Sequence, residues 1–250
     1  MSVDLQPSLR PFLERLQSRS ALTDAECEAI LALPFEVFDI EANRDIIRRG
    51  ETTSASCFIA SGMVGAFKQD RQGVRQNVAI YITNDMVDLH SVPLPEAIAT
   101  LHAILDTRLL KVPHEPLRRI AREHRGIAEA FWRETVVDNS ILMEWVFNVG
   151  RRQAKARLAH FLCELAYRST GGEPPHEFVI PFEIPQQHLS EMLGLTAVHI
   201  NRTLRALREE GLLDSTGRSQ LRIRDWDGLA QSGDFNPSYL HLKATVPASG

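Results

Sequence analysis

One stretch of this chain admits few folds. From Pro185 to Gly211 it reads PQQHLSEMLGLTAVHINRTLRALREEG. Pro185 suits the first position of a helix, where a missing N–H costs nothing. Leu189, Met192 and Leu193 then give that helix one apolar face. Gly194 breaks it, and Thr196 is placed to cap the N-terminus of a second helix. On that helix Ile200, Leu204 and Leu207 step by four and three, a single buried stripe, and Gly211 is placed as a left-handed cap at its end. Two short helices joined through a glycine turn make a helix-turn-helix.

At about 100° per residue, Val198, Arg202, Arg205 and Glu209 face away from the buried stripe, flanked by His199 and Asn201. A helix entering a major groove by its N-terminus offers Thr196, Val198, His199, Asn201 and Arg202 to base edges. Arg202 suits a bidentate contact with guanine O6 and N7, worth about 1–3 kcal/mol of discrimination. Val198 suits a thymine methyl, and Arg205, one turn further on, a phosphate. Beyond Gly211, the turn Ser215-Thr216-Gly217-Arg218 and the alternating Leu221-Arg222-Ile223-Arg224 predict a β-hairpin wing. Arg218 at its tip is a further phosphate contact. A solvated helix surface explains any one of these arginines equally well, but it explains the whole pattern poorly. Double-stranded DNA is the expected partner.

The rest of the chain frames this segment. Residues 8–33 read as one or two short helices, the second started by a T-x-x-E capping box at Thr23. From Pro34 to about Pro116, short runs such as Cys57–Ala60, Val64–Phe67, Asn77–Ile82 and Leu109–Val112 are separated by turn residues, which predicts an antiparallel sandwich or barrel. From about Glu115 to Arg168 the pattern is helical. Ile127, Phe131, Val137, Ile141, Trp145 and Val149 form an imperfect heptad, which either packs on its own barrel or meets a second copy. Because Trp145 and Phe147 expose much apolar area on an unpartnered helix, a homodimer through Phe131, Ile141 and Trp145 is expected. Gly150 before Arg151-Arg152 reads as a hinge. The expected organisation is therefore α+β: a β-roll sensor domain in residues 1–150, with a dimerisation helix over about 115–150, and a winged helix-turn-helix domain in 151–250. The tail from Ser232 onward reads as weakly structured.

Composition narrows the classes further. Among 250 residues 44% are hydrophobic and 24% charged, the balance of a globular chain. The net charge of −4 hides an acidic first 150 residues and a C-terminal part that is mildly basic up to Arg224, a weak sign of anion binding. No run approaches the length needed to span a bilayer, and the first twenty residues lack the apolar core of a signal peptide. No membrane association and a cytoplasmic location are expected. Three cysteines, Cys27, Cys57 and Cys163, form neither a CxxC pair nor an even disulfide set.

With LSEMLGLTAVHINRTLRALREEGLL as its most specific part, the chain over about residues 20–230 resembles the CRP/FNR family of bacterial transcription regulators. IIRRGETTSASCFIASGMVGAF (46–67) is similar to that family's β-roll pattern, and Gly150-Arg151-Arg152 with ARLAHFLCEL is similar to its domain junction. The resemblance implies a homodimer on a two-fold symmetric operator that recruits or blocks RNA polymerase, and no enzymatic activity. Cyclic-AMP-binding members carry a Gly-Glu pair and then Arg-Ser or Arg-Thr. Asp88-Leu89 and Ala97-Ile98 stand at those positions here, so cyclic AMP binding is not expected, since the phosphate would lack its arginine. Iron–sulfur members hold a cluster near the N-terminus with several cysteines; only Cys27 lies there, so no cluster is expected. Haem is disfavoured, although His90, His102 and His114 lie in the roll. No metal site is expected. The alternative is a cupin-like metalloenzyme or haem sensor built on those three histidines, weakened by the absence of any H-x-H pair. Cys57 and Cys163 read as buried and inert.

Overall fold

Residues 8–215 and 219–241 are described in this computed structural model. The capping box forms: the Thr23 hydroxyl accepts from the Glu26 N–H, and the Glu26 carboxylate from the Thr23 N–H. It starts α2 (Asp24–Leu31), preceded by α1 (Arg10–Gln17). Eight strands follow: β1 (Glu36–Ile40), β2 (Asp45–Ile47), β3 (Ala55–Ser61), β4 (Met63–Gln69), β5 (Arg75–Ile82), β6 (Met86–Val87), β7 (Thr100–Ala103) and β8 (Thr107–Pro113). They form two four-stranded sheets, ordered β1-β8-β3-β6 and β2-β7-β4-β5. The apolar side of α1 is buried with strand and helix residues in one core, including Phe12, Phe58, Leu110, Leu117, Ile127 and Phe131. Each such side chain contributes about 1.5–3 kcal/mol when fully buried. Beside it lies an ionic cluster in which Arg15 Nε is 2.7 Å from Glu134, Arg15 also pairs with Asp85, and Arg19 pairs with Glu134.

The helical run divides into three. His124 adopts extended backbone (φ −128°, ψ 108°) and ends α3 (His114–Glu123). Then come α4 (Arg125–Arg151) and α5 (Ala154–Thr170). The chain separates into two compact units, one holding residues 8–67 and 80–138, the other 68–79 and 139–241. The division thus falls inside α4, ahead of the boundary expected at 150.

The burial pattern of α4 places the expected pairing residues inside their own chain. Phe131, Ile141 and Trp145 are buried within their own chain. Trp145, only 7% exposed, meets Phe161 edge-on at 6.1 Å between ring centroids, and its indole N–H lies 3.1 Å from both oxygens of Glu164. A different set of apolar side chains on the helix is exposed: Trp132, Val136, Leu142, Met143, Val146 and Phe147. At about 100° per residue the two sets centre on opposite faces. The helix carries two apolar stripes, and the residues expected to pair lie on the inner one.

Gly150 does not behave as a loose joint either. It lies in the last turn of α4, and the connection to α5 is tied. The Arg157 guanidinium donates to the carbonyls of Val149 and Arg152 at 2.7 and 3.0 Å. Asn148 donates to the Arg157 carbonyl at 3.2 Å, and Arg152 bonds Glu144 at 2.7 Å.

The second unit continues with β9 (Phe178–Pro181), α6 (Gln186–Leu193), α7 (Ala197–Glu209), β10 (Leu213–Ser215), β11 (Gln220–Ile223) and α8 (Trp226–Ser232). β10, β11 and β9 make a three-stranded antiparallel sheet. The segment after Ser232 is not loose up to His241. Phe235 packs among His160, Tyr167, Trp226 and Tyr239 at centroid distances of 5.3–6.3 Å. The Tyr239 hydroxyl donates to Glu164 at 2.8 Å.

Candidate nucleic-acid interface

α6 and α7 meet at a turn set by backbone chemistry. Gly194 closes α6 in the left-handed region (φ +60°), a conformation an L side chain adopts only with strain. Thr196 then caps α7, its hydroxyl accepting from the His199 N–H at 3.3 Å. At the far end Gly211 takes φ +77° and lets the chain turn into β10. Ile200, Thr203, Leu204 and Leu207 are buried, which fixes the rotation of α7 about its own axis.

That rotation leaves Thr196, Val198, His199, Asn201, Arg202 and Arg205 all exposed, with Val198 at 76%. The six differ in how they are held. Asn201 is oriented by Gln186 of α6, whose amide nitrogen donates to Asn201 Oδ1 at 2.8 Å. Arg205 pairs with Glu209 at 2.8 Å. Arg202 makes no ion pair or side-chain hydrogen bond among the described residues, so its guanidinium is free to seek a planar acceptor. Gln186 was missed by sequence reading, because its role depends on a pairing fifteen positions away that no local pattern encodes. The β10–β11 pairing forms as expected; Arg218, expected at the tip, lies outside the described residues.

In the sensor half, Asp88 turns inward, with left-handed backbone (φ 56°). It accepts from the Cys57 N–H and the Ser91 hydroxyl, each at 3.3 Å. Ser91 in turn lies 2.9 Å from His114 Nε2. Burial pushes the Asp88 carboxyl up to about 7, against those two hydrogen bonds, and holds His114 below the usual histidine value. Burial also raises the thiols of Cys57 and Cys163, which disfavours the reactive thiolate. His102 is buried edge-on against Phe67. Among the described residues the metal-ligating groups gathered within reach of one another are His176, Asp225 and Asp227; His90, His102 and His114 are not brought together. No helix among the described residues is long and apolar enough to cross a membrane.

A winged helix-turn-helix with one stripe buried and the opposite face bare, carried behind a β-rich domain, defines a DNA-binding transcription regulator. Comparison with known proteins agrees. Residues 37–124 match the cyclic nucleotide-binding domain and residues 156–232 the Crp-like helix-turn-helix domain. The nitrogen fixation regulation protein FixK of Azorhizobium caulinodans is 25% identical over 187 residues, covering 75% of each chain. The fumarate and nitrate reduction regulatory protein of Vibrio cholerae is 22% identical over 72% of this chain and 71% of its own. The solved structure of FixK2 from Bradyrhizobium japonicum superposes with a TM-score of 0.72 at 24% identity, over 80% of this chain and 97% of its own. This chain belongs to the CRP/FNR family of transcription regulators.

Proposed function

We propose that two copies of this chain pair through the outward stripe of α4 and place their α7 helices in successive major grooves of a palindromic operator. The observation that carries the reading is the free Arg202 guanidinium beside Val198 and Asn201, at the N-terminal half of the second helix of the motif. Arg202 reads guanine, Val198 lies near a thymine methyl, and Thr196, His199 and Asn201 face neighbouring bases, while Arg205 and Arg218 serve phosphates. The bound dimer acts on transcription from the cytoplasm by recruiting or blocking RNA polymerase, and has no catalytic role.

The sensor half does not fit cyclic AMP. Ala97 and Ile98 stand where an arginine would meet the phosphate, and the Asp88 carboxyl is already engaged with Cys57 and Ser91. Nor does the chain fit a four-cysteine cluster: it has three cysteines in all, and Cys57 and Cys163 are buried in hydrophobic surroundings. Among the described residues His90, His102 and His114 are not gathered within metal-ligating reach of one another.

The experiment is selection from a randomised duplex library with the purified, untreated protein, repeated with Arg202→Ala. A palindrome with half-sites one helical turn apart is expected. Arg202→Ala should lose about 1–3 kcal/mol of discrimination at one base pair while keeping salt-sensitive nonspecific binding. Unchanged base preference in that variant would overturn the docking.

A further inference from the structure

Beside the 3₁₀ turn Leu89–Ser91, α3 and the first half of α4 line an open hollow of about 560 Å³, within the range of small-molecule sites. Its walls are mainly apolar: Leu89, Val92, Phe131 and Trp132. Two cations break that surface, Arg118 and Arg122, and no aspartate or glutamate lines it. The arginines stand four residues apart on α3 and so share one face. Arg118 is held against the wall by Nε, which donates to the Val92 carbonyl at 2.8 Å, leaving the rest of its guanidinium available. Arg122 is exposed and has no ion-pair partner among the described residues. On α3 the residues three and four positions before it are Arg119 and Arg118, so the preceding turn offers it no carboxylate. Arg125 is already engaged by Glu129 at 2.9 Å. Like charges spaced this way repel, and covering the apolar hollow beside them removes its surface from water, which is favourable.

We propose that this cavity binds an amphipathic carboxylate: one anionic head between Arg118 and Arg122, and an apolar body of alkyl or aryl character against Leu89, Val92, Phe131 and Trp132. The charge complementarity selects the head, since a guanidinium pair accepts a planar carboxylate by charge-assisted hydrogen bonds. The apolar walls exclude a ligand whose body is polar. Trp132 and the neighbouring turn of α4 also belong to the outward stripe, so a second copy covering the hollow is the competing occupant. The proposal concerns ligand binding alone and stands whether or not the base-reading assignments hold.

Calorimetric titration of the full-length protein with decanoate tests it, with 1-decanol as the uncharged control and butyrate as the head-only control. Saturable binding of one decanoate per chain is expected, at least tenfold tighter than decanol or butyrate. Arg122→Glu should weaken decanoate at least tenfold and leave decanol unchanged; as an exposed residue without a partner, Arg122 tolerates the change without unfolding. Ala128→Trp, which fills the hollow from α4, should abolish binding, with circular dichroism confirming the fold. Tryptophan fluorescence gives a second readout, because Trp132 is 71% exposed whereas Trp145 and Trp226 are buried. Absence of saturable binding in the dimer, equal affinity for decanol, or indifference to Arg122→Glu would each overturn the proposal.

Discussion

Val146 and Trp145 are adjacent in sequence and opposite in exposure, which makes them a sharp test of how α4 is used. Val146 is 62% exposed in the single chain. Complete burial of a valine is worth about 1.5 kcal/mol at the low end, so covering what remains exposed contributes about 1 kcal/mol per copy. A two-fold axis doubles this to about 2 kcal/mol. Val146→Glu removes that gain and adds a carboxylate that must be desolvated against a helix face, a further cost of several kcal/mol. The dimer should weaken by at least about 3 kcal/mol, more than a hundredfold in Kd. Analytical ultracentrifugation over a wide dilution series measures this, and thermal melting should show a folded monomer. Trp145→Ala should do the reverse: it empties space against Phe161 and deprives Glu164 of a donor, destabilising the fold by about 3–5 kcal/mol while folded chains still pair. A dimer unaffected by Val146→Glu, or a well-folded monomer from Trp145→Ala, would refute the assignment of inner and outer stripes.

Three further outcomes are expected. Glu134→Gln removes the charge shared by Arg15 and Arg19 in a nearly dry cluster, and should lower stability by about 3 kcal/mol, read as a reduced urea midpoint at constant slope; an unchanged midpoint would mean the cluster is well solvated. Asp88 is held at about 7 by burial, above its unfolded value of about 3.9. Its stabilising contribution is therefore complete below about pH 4 and is lost as pH rises through about 7. Asp88→Asn removes this slope, so the variant should gain about 3 kcal/mol on wild type between pH 5 and pH 8, and parallel pH profiles would contradict it. Thr196→Ala deletes the cap of α7 and should cost about 1 kcal/mol, with weaker DNA binding; equal melting temperatures would show the cap to be idle.

The helix-turn-helix was legible because its signals are local and mutually consistent. A left-handed glycine, a threonine cap and a three-four apolar step each constrain the same few residues, and the exposed face follows from the buried one. The strands around Cys57, Val64, Asn77 and Leu109 were legible for similar reasons, whereas β1, largely exposed, gave no apolar alternation to read. On α4 the local signal was ambiguous in principle. Two opposite stripes are both apolar, and only distant partners, Phe12 for Phe131 and Phe161 with Glu164 for Trp145, decide which is inward. The stretch beyond Ser232 failed differently: Phe235 and Tyr239 sit among glycine, asparagine and proline with no period, and their burial depends on His160 and Tyr167, far earlier in the chain.

Glu164 has a mechanical consequence. Its side chain, 1% exposed, is gripped at once by Trp145 of α4, Arg168 of α5 and Tyr239 of the C-terminal segment, while Arg152 ties the helix junction to Asp234. The later turns of α4 and the DNA-reading unit are thereby spliced into a stiff crank. A bend at Gly150 would have to break that splice, so these elements are held as one stiff piece.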